Sequence, residues 1–366
     1  MAVTNSSGLS DRPNRKIGLP IGRILEYAGL PIALVLLVVW FSLSADSGTA
    51  FRSSANITNI FANQSVTGLI ALAMVIPLVC GYFDLSVAAI AGLANVTTAA
   101  VIGTYQQSIF VGIAAGIACG VVAGLVNAFL VAGLKLNGFI ATLGTFTLLG
   151  GLLQWYTNGQ TITNGIPRSL SAWGMQDFLG LPRPFWLLVV TAVIAWYMMA
   201  HTPLGRSFEA IGSNESAARL VGIRVDRTVA IAFMFSATLA SIAGVLLTIR
   251  TGGANPTGGT SYLFPALAAV FLGATAIRPG RYNVWGTIFG VFLVAVAVNG
   301  FTFLGAEAWV NNVFNGASLV VAVMISTLMG RRNESKLRIE LQHQHNDHQA
   351  TSSSSAPSSP VGASHS

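Results

Sequence analysis

The chain has 366 residues, of which 53% are hydrophobic and only 8% are charged. A soluble domain carries about 25% charged residues, so this composition excludes a water-soluble globular protein. The net charge of +7 does not indicate nucleic-acid binding, because the basic residues lie in short connectors between apolar runs, where such residues orient membrane proteins. We therefore interpret the chain as an all-α polytopic membrane protein.

The first apolar run follows a polar N-terminal segment, residues 1–26. A secretory signal needs a short apolar core and a small-residue cleavage site. The run from about Ala28 to Leu43 is nearly long enough to span a membrane, and no clear cleavage site follows it. It is predicted to be a retained first membrane helix.

About ten apolar runs approach the length of roughly 17–25 residues that a spanning helix needs. The eighth is short and begins near Pro265, so a tilted, broken or re-entrant helix is expected there. Together the runs define a transmembrane domain over residues 27–330. Their predicted bounds are 27–44, 60–80, 85–103, 109–133, 138–157, 184–200, 228–249, 264–277, 285–304 and 312–329.

The positions of Lys and Arg indicate how these runs are oriented. With the N-terminus inside and ten alternating spans, four of the 19 basic residues fall outside, and these are Arg52, Arg168, Arg183 and Arg250. The others fall inside, as expected from the excess of Lys and Arg in cytoplasmic loops. Both termini are therefore predicted to be cytoplasmic.

Three connecting or terminal segments have distinct compositions. Residues 158–183 are predicted to lie along the outer membrane interface, where tryptophan is favoured. Residues 201–227 form an inside segment with helical spacing. Residues 331–366 are rich in Ser, Gln and His and cannot build a core, so a disordered cytoplasmic tail is expected. Its histidines are interpreted as part of a solvated low-complexity tail, and no metal site is predicted.

Glycines repeat at every fourth position in the fourth span and predict close helix packing. The ninth span has a shorter ridge, and Asn127 and Asn299 occupy comparable places in the two spans. Because these spans run in opposite directions, the second to fifth and seventh to tenth spans are a candidate inverted repeat. The two ridges are Gly112, Gly116, Gly120 and Gly124 in one span and Gly286 and Gly290 in the other.

Asp84 is an acidic residue between two apolar runs. A carboxylate at membrane depth is costly and usually functional. It can bond a polar substrate or lock broken helices together, or it can lie at the inner interface and cap the next helix with Ser86. Neutral polar and aromatic side chains in the spans serve either a hydroxylated substrate or helix packing. The candidate pathway residues are Asp84, Ser86, Asn127, Phe139, Thr142, Thr145 and Asn299.

No phosphate-binding loop of the Gly-x-x-x-x-Gly-Lys-Ser/Thr type occurs in the sequence. No catalytic pair is visible either. We therefore expect a transport subunit that is not an enzyme and binds no cofactor. Energy from ATP would have to be supplied by a partner that carries the ATP and Mg²⁺.

Four stretches, at 81–87, 138–145, 205–223 and 266–287, together resemble the permease subunits of ribose/xylose/arabinose-type ABC importers. The resemblance covers about residues 50 to 330. It implies a bacterial cell-membrane permease that pairs with a second permease, identical or related. It also implies docking on cytoplasmic ATPase subunits and delivery of a sugar by an extracytoplasmic binding protein, with lipid around the spans.

The stretch at 205–223 matches the segment that couples such permeases to their ATPases. Its residues also form a polar helix that suits a groove in a soluble partner, and its glycines permit turns. The residues assigned to coupling are Gly205, Arg206, Glu209, Ala210, Gly212, Asn214, Glu215, Ala217, Ala218, Arg219 and Gly222.

The sequence departs from the family pattern at a few positions. Tyr82 and Ala88 stand where many relatives have glycine, and residues 278–281 contain a proline in a region that is usually richer in glycine. These departures leave the identity of the transported solute open. The alternatives are a secondary transporter that uses Asp84, or an ABC permease for a nucleoside or a branched-chain amino acid.

Overall fold

The computed structural model describes residues 20–45 and 48–325, with side chains from residue 28 onward. Two two-residue strands, β1 (Asp177–Phe178) and β2 (Leu181–Pro182), pair antiparallel. The described helices are α1 (Pro20–Leu43), α2 (Gly48–Phe51), α3 (Ser54–Val79), α4 (Val87–Ala99), α5 (Ile109–Ala128), α6 (Gly138–Thr157), α7 (Arg168–Met175), α8 (Arg183–His201), α9 (Pro203–Ser213), α10 (Glu215–Leu220), α11 (Val225–Thr251), α12 (Leu263–Gly273), α13 (Val284–Phe303) and α14 (Ala308–Ile325).

Eight of the described helices are long and apolar enough to cross a membrane, and two shorter apolar helices accompany them. The eight are α3, α4, α5, α6, α8, α11, α13 and α14, of which α4 and α5 each continue into a π-helical segment. The shorter ones are Ala28–Leu43 and Thr260–Gly273. This confirms the all-α polytopic architecture of about ten spans.

Two predicted helix starts differ most from the structure. α1 begins at Pro20, within the segment 1–26 that was predicted to be a separate N-terminal region. α3 begins at Ser54 instead of residue 60, because polar residues continue the helix before its apolar part. The rest of the predicted N-terminal segment and the tail 331–366 lie outside the described residues.

Polar residues at the connectors begin and end the helices. Ser53, Asn137 and Asn283 each accept a hydrogen bond from a backbone N–H in the first turn of the helix that follows. Asn158 and Gly252 adopt left-handed conformations at the ends of α6 and α11. These caps satisfy backbone groups that a helix end leaves unpaired, so the connectors are encoded locally.

The core of the protein is built around α11, which packs against α3, α4 and α5. α3 and α4 are mostly buried, whereas only a third or less of the residues in the spans of α5, α6, α8 and α14 are buried. Exposed apolar side chains such as Leu148 and Ile194 suit a hydrocarbon environment. The buried helices therefore form an inner layer and the exposed ones an outer layer.

Both glycine ridges lie at close helix contacts, as predicted. In α5, a methyl group at Gly124 would collide with the β-carbon of Ala237 on α11, and one at Gly116 would lie 2.9 Å from the carbonyl oxygen of Ala94 on α4. In α13, Gly290 lies against the backbone of Ala269 on α12. Small residues at these positions allow the helix backbones to approach each other.

The helix contacts show an exchange that an inverted repeat would produce. α5 packs on α4 and α11, while α13 packs on α12 and α3. Pairing the second to fifth spans with the seventh to tenth exchanges α3 with α11, α4 with α12 and α5 with α13. The contacts of α5 with α4 and α11 then correspond to those of α13 with α12 and α3. This correspondence supports the predicted inverted repeat.

The connector 158–183 contains α7 and the β1–β2 hairpin. The indole N–H of Trp186 donates to the carbonyl of Phe178 at 2.8 Å. Gly174 in α7 lies against Ile249 near the end of α11. The hairpin and α7 therefore cover one end of the helix bundle.

Candidate functional site

The predicted coupling segment folds as two short helices, α9 and α10, joined at Asn214. Thr202 caps α9 and Pro203 occupies its first turn, where a missing N–H costs nothing. Asn214 ends α9 and its side chain accepts from the N–H of Ala217 at 2.9 Å, which starts α10. Glu215 in the first turn and Arg219 in the last complement the helix dipole.

Two apolar side chains and two glycines fix this segment to the bundle. Phe208 and Ile211 are buried in the core. A methyl group at Gly205 would collide with the backbone of Met199 at the end of α8, and one at Gly212 would collide with the carbonyl of Val79 at the end of α3. The segment therefore lies directly against the ends of two membrane helices.

The C-terminal end of α10 exposes apolar side chains that do not pack on the helix bundle. Leu220 is 88% exposed and Val221 is 77% exposed, directly before the turn at Gly222, whose φ is 85°. Adjacent exposed apolar residues surrounded by polar ones are typical of protein interaction sites. Arg206 and Ala217 are also exposed, whereas Ala218 is buried against the bundle.

Ion pairs join α10 to neighbouring elements. Arg219 Nη2 lies 2.9 Å from Glu215 Oε1 and 2.7 Å from Asp226 Oδ1, and Asp226 also pairs with Lys135 in the α5–α6 loop. The hydrogen bond from Arg219 holds the pKa of Glu215 below its ordinary value, although partial burial opposes this. The side chains are about half exposed, so these pairs add little stability and serve mainly to set geometry.

Tyr82 links α10 to the turn between α3 and α4. Its hydroxyl donates to Glu215 Oε2 at 3.0 Å. Burial, together with this hydrogen bond, raises the pKa of Tyr82 to about 12, so the phenol remains a donor at neutral pH. A second link joins α9 to the segment that follows α12, where Arg278 Nη1 lies 3.4 Å from Glu209 Oε1.

The turn that contains Tyr82 also contains Asp84, whose carboxylate is buried and fully engaged. Asp84 Oδ1 accepts from the backbone N–H of Ser86 at 3.0 Å and from its hydroxyl at 2.5 Å. Asp84 Oδ2 accepts from the hydroxyl of Ser236 on α11 at 2.9 Å. Both carboxyl oxygens of Asp84 are therefore engaged, and the bond to Ser236 anchors the turn to α11.

The same network extends to α5 and α6. Asn127 donates to the hydroxyl of Ser86 at 2.6 Å and accepts from the hydroxyl of Thr145 at 2.7 Å. Thr142 accepts from the N–H of Leu85 at 3.2 Å. Four elements therefore meet in one buried hydrogen-bonded cluster, which we call the Asp84 network: Asp84, Ser86, Asn127, Thr142, Thr145 and Ser236.

The other two candidate pathway residues lie elsewhere. Phe139 is 48% exposed and its ring lies 6.4 Å, centroid to centroid, from that of Phe83. Asn299 forms two reciprocal hydrogen bonds of 3.0 Å with Asn56 on α3. In this conformation the Asp84 network is closed, so the geometry favours the interpretation of Asp84 as a lock between broken helices. Contact of any of these residues with a solute stays a prediction.

Comparison with known proteins places this architecture in a family. Residues 56–323 match the family described as "Branched-chain amino acid transport system / permease component". The chain belongs to this family. It is therefore a permease component and a multi-pass membrane protein.

Similar curated proteins cover most of the permease. The ribose import permease protein of Bacillus subtilis (strain 168) is 37% identical over 82% of this chain and 93% of its own length. The ribose import permease protein of Escherichia coli (strain K12) is 33% identical over 82% and 94%, respectively. The L-arabinose transport system permease protein of the same strain is 35% identical over 88% and 96%. These matches confirm the resemblance drawn from the four sequence stretches. No solved structure matches the chain significantly.

Sequence reasoning missed two residues of the permease that the structure brings into the site. Ser236 lies in an otherwise ordinary apolar span, and only the packing of α11 against α4 reveals that it bonds to Asp84. The bond between Tyr82 and Glu215 joins residues 133 positions apart. Tyr82 stands where many relatives have glycine, and this departure was the signal that could have indicated the bond to Glu215. Among the described residues, no group of three or more His, Cys, Asp or Glu side chains is placed to hold a metal ion.

Proposed function

We propose that the permease is the membrane subunit of an ATP-driven importer and moves a monosaccharide, a pentose or a hexose, into the bacterial cytoplasm. The names of the similar proteins, which are ribose and arabinose permeases, support this class of cargo. The observation that carries the mechanism is the continuous connection from the exposed end of α10 through Glu215 and Tyr82 to the Asp84 network.

In this proposal, α9 and α10 dock on a cytoplasmic ABC ATPase that binds ATP and Mg²⁺. Leu220 and Val221 supply the apolar contact that such a groove requires. ATP binding moves the docked segment, and because Gly212 lies against Val79, the end of α3 moves with it. The permease alternates between two states that present the solute to opposite sides of the membrane.

The proposal assigns further partners to the other faces. A second permease subunit, identical or related, pairs with this one in the lipid. A binding protein delivers the sugar on the side opposite α10. The distribution of Lys and Arg supports both termini in the cytoplasm.

Two alternatives are weaker on specific grounds. A carboxylate that carries protons for a gradient-driven transporter needs access to water, but Asp84 is buried and accepts three hydrogen bonds. The family description names branched-chain amino acids. Such a solute is a zwitterion and would favour charged side chains along its pathway. Apart from Asp84, few charged side chains lie inside the spans.

The docking surface is tested by replacing its apolar residues. We expect the double variant Leu220→Asp/Val221→Asp to lose co-purification with the ATPase encoded beside it, because two charges are then placed in an apolar contact. The control is Ser213→Asp/Ser216→Asp, an exposed polar pair on the same segment, which adds the same two charges without replacing an apolar side chain. Unchanged co-purification of the Leu220/Val221 variant would contradict docking through α10.

A further inference from the structure

A cavity of about 310 Å³ lies between α3, α12, α13 and α14 and does not include the Asp84 network. Nine of its fourteen lining residues are polar, and none carries a charge at neutral pH. Its volume is at the lower end of the ~300–1,000 Å³ range of ligand pockets, which suits a small solute. The polar residues used below are Asn59, Asn63, Asn299 and Asn315.

The cavity lies on the side of the membrane opposite the coupling segment. Asn63 is in the first half of α3, and Val79, at the other end of the same helix, contacts Gly212. At ~1.5 Å per residue, the two ends are about 24 Å apart. With α9 and α10 on the cytoplasmic side, the cavity faces the side from which an importer receives its cargo.

Several amides around the cavity are held in fixed orientations. Arg250 Nη2 donates to Asn63 Oδ1, and Asn63 Nδ2 donates to Asn59 Oδ1 at 2.8 Å. Asn299 is fixed by its two bonds to Asn56. Fixed donors and acceptors reduce the entropy that binding costs, so the wall of the cavity is preorganised.

One acceptor in this wall has no partner. Asn315 Oδ1 is buried and makes no hydrogen bond within the part of the chain that the structure describes. An unsatisfied buried carbonyl costs free energy, and a hydroxyl group entering the cavity would remove that cost. Helix packing accounts for the Asn56–Asn299 pair, and the Asn59–Asn63 bond is an ordinary i,i+4 contact within α3. Neither contact satisfies the buried oxygen of Asn315.

We propose that this cavity is an entry site that binds one neutral, polyhydroxylated solute of monosaccharide size. The identity of the solute rests on the proposed function, but the site itself does not. A neutral lining of amides and hydroxyls matches neutral hydroxyl groups. A cationic solute would lose its hydration there without gaining a partner of opposite charge, since no lining residue is acidic.

Protection of an engineered cysteine tests the site directly. The full chain is reconstituted in proteoliposomes in a Cys80→Ala/Cys119→Ala background, which removes both native cysteines. Asn315→Cys places the probe in the cavity wall. Asn311→Cys is the matched control, because Asn311 lies one turn away on α14 with its own unpaired oxygen and does not line the cavity. A small charged methanethiosulfonate modifies each thiol in the presence of D-ribose, D-xylose, L-arabinose, D-glucose or equal concentrations of betaine or leucine.

We expect at least one sugar to slow the modification of Asn315→Cys about threefold when it is present at twice its Kd, as mass action requires, with no effect on Asn311→Cys. A rate at Asn315→Cys that no sugar changes overturns the site. Equal slowing at both positions, or protection by betaine or leucine alone, also overturns it. ATP-dependent uptake is measured separately in proteoliposomes that also contain the ATPase and the binding protein encoded beside the chain, so the loss of the cavity and the loss of the importer mechanism are distinguished.

Discussion

The side chain of Tyr82 joins the two parts of the proposed mechanism. It lies two residues before Asp84 in the same turn and bonds to Glu215 on the docking segment. Glycine, which many relatives have at this position, cannot make such a bond. In the proposed mechanism, movement of α10 reaches the buried network through this hydroxyl group as well as through helix packing.

Tyr82→Phe removes this hydroxyl and keeps the ring. The acceptor is a half-exposed carboxylate, so the bond is expected at the lower end of the ~1.5–3 kcal/mol range for charged groups. We therefore expect solute-stimulated ATP hydrolysis by the reconstituted complex to fall about tenfold when it is measured well below the melting midpoint of the variant. Tyr197→Phe, an exposed tyrosine stacked on His201, is the control. Stimulation equal to that of the wild type would show that the bond does not transmit the signal.

The contact between Arg219 and Glu215 predicts a specific dependence on pH. The pKa of Glu215 is depressed in the folded state. Its stabilising contribution is therefore present above the unfolded-state pKa of about 4.3 and is lost as the pH falls through the folded-state value. Arg219→Gln removes the largest cause of the depressed pKa, while Tyr82 and Lys135 still contribute to it.

We expect the difference in melting midpoint between the wild type and Arg219→Gln to be constant from about pH 5.5 to 7 and to shrink below about pH 4.5. Arg206→Gln, which replaces an arginine without an ion pair among the described residues, should show no such trend. A difference that grows as the pH falls would contradict the assignment.

At the scale of elements, the close contact of α5 with α11 depends on Gly124. Gly124→Ala adds a methyl group that collides with the β-carbon of Ala237, so we expect a loss of about 1–3 kcal/mol, seen as a lower melting midpoint. Gly144→Ala is the matched control, because Gly144 has open space around its α-carbon and alanine favours a helix. Equal midpoints for the two variants would show that the ridge does not set the packing.

The spans themselves were predictable because long apolar runs are a strong local signal. The start of α3 was not, because Asn56, Asn59 and Asn63 look like a polar connector until their spacing of three to four residues is recognised as one helical face. That face bonds to Asn299 and lines the cavity. The predicted pathway therefore included Asn299 but not the residues opposite it.

The Asp84 network could be predicted only in part for a related reason. Asp84, Ser86, Asn127, Thr142 and Thr145 stood out as polar residues inside spans, and the structure brings them together. Ser236 is 152 positions from Asp84, so its role depends on the register between two packed helices. Local sequence patterns do not contain that register.

For the whole molecule, the proposed docking segment and the neutral polar cavity lie toward opposite ends of α3, and the Asp84 network is closed in this conformation. An importer requires this separation, since both sides must not open at once. The strongest evidence for the family is the match over residues 56–323, and the proposed mechanism adds a route of contacts from α10 to the end of α3 and to the buried turn.

Solute uptake tests the central claim most directly. The chain is expressed with the ATPase and binding protein encoded beside it, in a strain that lacks its own sugar permeases, and uptake of radiolabelled pentoses and hexoses is measured. We predict uptake of at least one sugar that disappears when the ATPase is catalytically inactive and that persists with a proton uncoupler while ATP is maintained. Uptake that continues without ATP hydrolysis and collapses with the uncoupler would contradict the account.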